Sequence, residues 1–218
     1  MQYYSGLEQS LAEKDENPIV DEGSLPSFRF KRRNIKICIL NDASAPAEWN
    51  LINKVMKGAS EGQSFNKYVG LNFKVVKRMP YEGDITAWRI DQGLYLRSVC
   101  PPSADWIFVF TNSNVTINQQ GDYFDIENFH IGCQSHPYFG YLIVYNFTIR
   151  YYTGGFGDKI IRTINHEIVH FFLGQGHDGW VGSIMYPSNE QGGDKWTKDT
   201  YRRVMQNRDR MWFPRYTK

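Results

Sequence analysis

Apolar positions fall along this chain in two rhythms. One is the short, nearly unbroken run: Ile35–Leu40 (IKICIL), Leu71–Val76, Trp106–Thr111 (WIFVFT) and Tyr141–Tyr145 (YLIVY). Runs of this length and content predict strands, the first of them buried. The other rhythm is helical. Trp49, Ile52, Met56 and Ala59 recur at three- and four-residue steps and predict an amphipathic helix from about Pro46 into the sixties, with Ser44 as its cap and Pro46 near its first turn. Ile160, Ile161, Ile164, Ile168 and Phe171 mark the clearest helix, Asp158–Leu173, and Gly174 stands where a left-handed C-terminal cap would fall. A last helix is predicted from about Thr197 to Met211, with Tyr201, Val204, Met205, Met211 and Trp212 on one face. The connections Lys77–Asp105 and Asn112–Pro137 are rich in Gly, Pro, Asn and Asp and read as functional or decorative loops. The order strand–helix–strand–strand–strand–helix–helix predicts an α/β domain whose sheet forms mainly before the second helix.

Composition narrows the picture. At 218 residues, 41% hydrophobic and 22% charged, the chain suits one folded domain rather than a disordered polymer. No apolar run approaches the roughly 18–20 residues of a membrane span, so no transmembrane segment is expected. Lys+Arg 25 against Asp+Glu 23 leaves a net charge of +2, which gives no basic footprint for nucleic acid. A monomer is the expected state. Residues 1–27 are polar and acidic and end in Gly23-Ser24-Leu25-Pro26, so they read as an arm in front of a domain spanning 28–218. The opening stretch has no basic start followed by an apolar core and does not read as a signal peptide, which leaves the compartment open. Three cysteines allow at most one bridge. Cys100–Cys133 is the expected pair, with Cys38, inside an apolar run, a small core residue.

The chemistry concentrates in His166-Glu167-Ile168-Val169-His170. Two histidines four apart on a helix project from one face, so both imidazoles can reach a single ion. Glu167, adjacent to the first, can reach a water on that ion without binding it, which is the HExxH arrangement of zinc hydrolases. Downstream, Phe171-Phe172-Leu173-Gly174-Gln175-Gly176-His177-Asp178 offers glycines that let the chain turn off the helix and return a third histidine, His177. Glu190 is the alternative third ligand, although it lies in a loop. His130 and His136 have no ligand spacing and read as loop or surface residues.

These residues resemble the metzincin clan of zinc-dependent metallopeptidases, whose signature is HExxHxxGxxH followed by a Met-containing turn. Ser183-Ile184-Met185-Tyr186-Pro187 is similar to that turn, and its distance from His177 is similar to that in the matrixin branch. Asp178 after the third histidine is similar to the adamalysin and fragilysin pattern. One feature departs from the family: three residues, Phe171, Phe172 and Leu173, stand where two are usual. An extra helical residue turns the exit by about 100°, while the Gly174-to-His177 spacing is kept and Gly176 adds slack. The likeness is specific from about Trp106 to Trp212. It implies a zincin-like α/β fold: a twisted, mostly parallel sheet, an antiparallel edge strand within residues 136–145 bordering a cleft, an active-site helix, a Met-turn and a C-terminal helix. It also implies a zinc cofactor held by His166, His170 and His177, Met185 as a hydrophobic floor, Glu167 as general base, and a peptide or protein substrate cut as by an endopeptidase. A non-catalytic binding module on the same fold is the rival reading; intact Glu167 argues against it and the inserted residue for it. The arm could lie across the cleft as an inhibitory pro-segment, with Asp15, Glu16, Asp21 or Glu22 near the metal, or be a plain extension.

Overall fold

The architecture comes from a computed structural model of the chain, which describes residues 32–61, 65–66, 68–82, 96–112, 115–117, 123–125, 133–136, 141–145, 158–173, 177–186 and 195–208. The arm 1–27, Gly174, Pro187, Glu190, His130, Met211 and Trp212 lie outside the described residues.

Five strands form the main sheet. They are β1 (Arg33–Asp42), β2 (Leu71–Tyr81), β3 (Trp106–Thr111), β6 (Cys133–His136) and β7 (Tyr141–Tyr145), in the spatial order β2-β1-β3-β7-β6. The pairs β1–β2, β1–β3 and β3–β7 are parallel. β6 runs antiparallel to β7, with Cys133 opposite Val144 and His136 opposite Tyr141, so this strand ends at His136, where the 136–145 segment expected to hold the edge strand begins. Two short strands from the second long connection, β4 (Val115–Ile117) and β5 (Tyr123–Asp125), pair antiparallel as a separate ribbon. The longer helices among the described residues are α1 (Trp49–Glu61), α2 (Asp158–Leu173) and α3 (Lys198–Asn207).

The apolar runs of β1 and β3 are explained by burial on both faces of the sheet. Side chains alternate along a strand. Ile35, Ile37 and Ile39 of β1 and Trp106, Phe108 and Phe110 of β3 therefore enter one core cluster, shared with residues of all three helices. Cys38 and Leu40 of β1 and Ile107 and Val109 of β3 point the other way, into a second cluster with Tyr81, Leu96, Cys100 and Ala104. That second cluster corrects the cysteine pairing. Cys38 is bonded to Cys100, with a Cα–Cα distance of 6.1 Å, and not to remain a lone core residue while Cys100 reaches Cys133. Leu96–Cys100 packs against the face of β1 that carries Cys38, a neighbourhood that spacing along the chain does not reveal.

Helix starts also differ from expectation. α1 begins at Trp49 rather than near Pro46, and Ser44 does not cap it: its amide and hydroxyl both donate to Asp42 Oδ1. Asn41 holds the intervening turn by exchanging two hydrogen bonds with the backbone of Ala47. α2 has the bounds predicted for it. α1 crosses α2 closely enough that a methyl group at Gly58 would collide with the side chain of Ile161.

Candidate functional site

α2 carries His166, Glu167 and His170. Its opposite face is fixed by Ile164 and Ile168, with Val169 on the flank between, all fully buried in the main core. With that face anchored, His166 and His170 share the other side, one turn apart. Their Nε2 atoms lie 3.2 Å apart. His177 joins them despite the inserted residue: its ring is 5.1 Å from each of the other two, which are 4.9 Å from each other. Each imidazole offers one nitrogen, and the three atoms lie within 4.8 Å of one another, the one group of this kind among the described residues.

The protein fixes which nitrogen is offered by His166. Its Nδ1–H donates to the Ile184 carbonyl over 2.7 Å, which leaves the Nε2 lone pair for a ligand. Burial, and next the neighbouring His170, push the His166 imidazole down to about 3, with the Ile184 carbonyl opposing and His177 adding to the fall. His177 is lowered in the same direction by burial and by His170, with Asp178 opposing. Both rings are therefore neutral near pH 7, and the neutral form is the one that binds a metal. Zinc at about 2.0–2.1 Å from each nitrogen requires ligand atoms about 3.3 Å apart in a tetrahedron, close to the His166–His170 separation. The donor set, three neutral imidazoles with one nitrogen each, fits such an ion.

Glu167 follows His166 directly and is half-buried. Met185 is buried beside Ile184 in the main core. Its carbonyl accepts from the Asp178 amide over 3.0 Å, and its amide donates to Ser183 Oγ over 3.1 Å. The loop from His177 to Met185 is thus closed on itself by backbone bonds. Asp178 is the hub of this closure. Its Oδ1 accepts from the Ser183 hydroxyl and from the Trp180 amide; its Oδ2 accepts from the hydroxyls of Thr197 and Thr200, each at 3.3 Å. Thr197 is also the N-cap of α3, accepting from the Thr200 amide. One carboxylate therefore joins the His177 segment, the methionine turn and the start of α3.

The sequence placed His166, Glu167, His170, His177 and Met185 as candidates. It did not point to the Ile184 carbonyl, a backbone atom with no side-chain signature, nor to Thr197 and Thr200, which stand far downstream of Asp178. Asp178 itself was visible only through resemblance. Of the other histidines, His136 sits on β6 and His130 lies outside the described residues.

No protein-family model matches the chain, and no curated protein is similar to it in sequence. Solved structures are similar in fold. Archaemetzincin from Methanopyrus kandleri superposes with a TM-score of 0.56 at 14% identity, over 81% of this chain and 96% of that one. A zinc-dependent peptidase from Methanocorpusculum labreanum gives 0.51 at 16% identity, over 77% and 99%. Metalloproteinase-II from Bacteroides fragilis gives 0.51 at 14% identity, over 87% of this chain and 56% of that one. The fold is mixed α/β with a largely parallel sheet, and it is the fold that these solved structures share.

Proposed function

We propose that the protein is a zinc-dependent endopeptidase of metzincin type, with His166, His170 and His177 as metal ligands and Glu167 as general base. The observation that carries the reading is the convergence of three imidazoles from two segments, with His166 oriented by the Ile184 carbonyl. The inserted residue between His170 and Gly174 does not keep His177 away, which removes the main support for a non-catalytic module. Ser183–Tyr186 serves as a matrixin-like Met-turn, and Met185 packs the floor of the site.

Zinc, when bound, would supply a Lewis acid for a carbonyl and lower the pKa of water to about 7. His166 and His170 would be held rigid for it by the buried face of α2, and His177 by the closed loop that follows it. Glu167 takes a proton from the attacking water and delivers it to the departing amine. The edge strand of the sheet among the described residues, β6, would take an extended peptide through main-chain hydrogen bonds, fixing the scissile bond against α2.

The test combines metal and turnover. The purified protein is expected to hold one zinc per chain and to hydrolyse a denatured protein, with a chelator abolishing cleavage. Glu167→Gln should keep the zinc and lose activity by about 10²–10⁴, whereas His177→Ala should lose zinc affinity itself. Full activity in the Glu167→Gln variant sinks the assignment of the base. Zinc affinity unchanged in His177→Ala sinks the three-histidine set.

A further inference from the structure

Among the described residues, the exposed large hydrophobic side chains are Trp49, Trp180 and Val181, and the last two adjoin each other at 48% and 66% exposure. They stand three and four positions after His177. From the geometry of this loop we infer that Trp180 and Val181 form an apolar lip of the substrate cleft, which receives a large apolar side chain of a polypeptide within about three residues of the scissile bond. The inference rests on the peptidase reading and adds a substrate class to it.

Their exposure does not come from a loose loop. The Ser183 amide donates to the Trp180 carbonyl over 3.0 Å, and Gly182, with φ +82°, holds the third position, the arrangement of a type II turn. The Trp180 amide is held in turn by Asp178 Oδ1, and the Asp178 amide by the Met185 carbonyl. The inward flank of the same loop, Ser183, Ile184 and Met185, is no more than 1% exposed. The loop is therefore pinned from both sides, and it presents a tryptophan and a valine outward on a fixed backbone. Ordering of that kind lowers the entropic cost of binding a ligand there.

Continuity with the metal centre points to the occupant. His177, Gly179, Trp180 and Val181 are all exposed in sequence, so one surface ribbon runs from the third imidazole to the lip. A Cβ built on Gly179 meets nothing within 4 Å, so space is open beside the backbone between them. Three peptide links separate His177 from Trp180, at most about 11 Å between Cα atoms. An extended peptide advances about 3.3 Å per residue. A chain whose scissile carbonyl lies at the imidazoles thus spans that distance in about three residues, and an apolar side chain there would cover surface that otherwise faces water.

The test uses two peptide sets of equal length, one carrying Leu or Phe and the other Ser or Asp within three residues on either side of the cut. Cleavage by the zinc-loaded parent is measured as kcat/KM. Binding is measured in parallel with the Glu167→Gln protein, so that recognition is read without turnover. The parent is expected to prefer the apolar set by roughly tenfold. Trp180→Ala and Val181→Ser should reduce that preference to less than about threefold at unchanged zinc content and melting temperature, and Trp180→Phe should retain it. An equal preference in Trp180→Ala, or none in the parent, overturns the inference. Apolar-dependent binding that Trp180→Ala abolishes, with no cleavage by the parent, supports the lip and overturns the peptidase reading instead.

Discussion

The carboxylate of Asp178 receives hydrogen bonds from Ser183, Thr197, Thr200 and the Trp180 amide, while the adjacent residue offers its imidazole to the candidate metal centre. A residue so placed would, on the proposed reading, position His177 from outside the metal's ligand set. Replacing it by Ala leaves three hydroxyls and an amide to find new acceptors in a partly buried setting. We expect the metal-free Asp178→Ala protein to lose about 2–3 kcal/mol in denaturant unfolding. Zinc affinity should fall by about 10- to 100-fold, the usual effect of removing a group that orients a ligand. A competition titration with a zinc indicator reads the second quantity, and parental values for both would remove Asp178 from the positioning role. His166 differs in kind, since its orientation comes from the backbone carbonyl of Ile184, which no side-chain substitution at 184 deletes.

At the scale of elements, α1 and α2 pack against each other at Gly58. Gly58 lets the helices meet there, because any Cβ would press into Ile161. A glycine inside a helix costs about 1 kcal/mol against alanine, so its use here reflects space. Gly58→Leu should destabilise the protein by about 1–3 kcal/mol through overpacking, and would also tilt the helix that carries His166 and His170. In the double variant with Ile161→Ala, part of that loss should return. Chemical unfolding of the four members of the cycle reports the coupling. Additive losses would mean that the two side chains do not meet, contrary to the geometry. The edges of the sheet differ as well: β2 carries exposed Lys74, Lys77 and Arg78, charges that discourage strand addition, whereas the opposite edge is β6.

On the scale of the whole molecule, the Cys38–Cys100 bond closes 62 residues of chain and fastens the second core cluster to β1. Such a loop is worth about 2–4 kcal/mol, and the bond forms only under oxidising conditions. Unfolded without reductant, the chain should therefore show one reactive thiol, Cys133, and after reduction three. Three thiols before reduction would refute the bridge. No helix among the described residues is long and apolar enough to cross a membrane. The sequence by itself determined the elements whose pattern is local: β3, β7 and α2 have the bounds that their apolar runs and helical spacing predict, and HExxH placed His166 and His170 on one face, because helical geometry alone decides that. Only the tertiary structure decided the rest. The cysteine pairing, the edge position of β6, the Asp178 links to Thr197 and Thr200, and the Ile184 carbonyl under His166 are contacts between segments far apart in the chain, or involve backbone atoms that every residue carries. Spacing encodes what one element presents; which elements meet is set by the burial of both faces of the sheet, and that is a property of the packed whole.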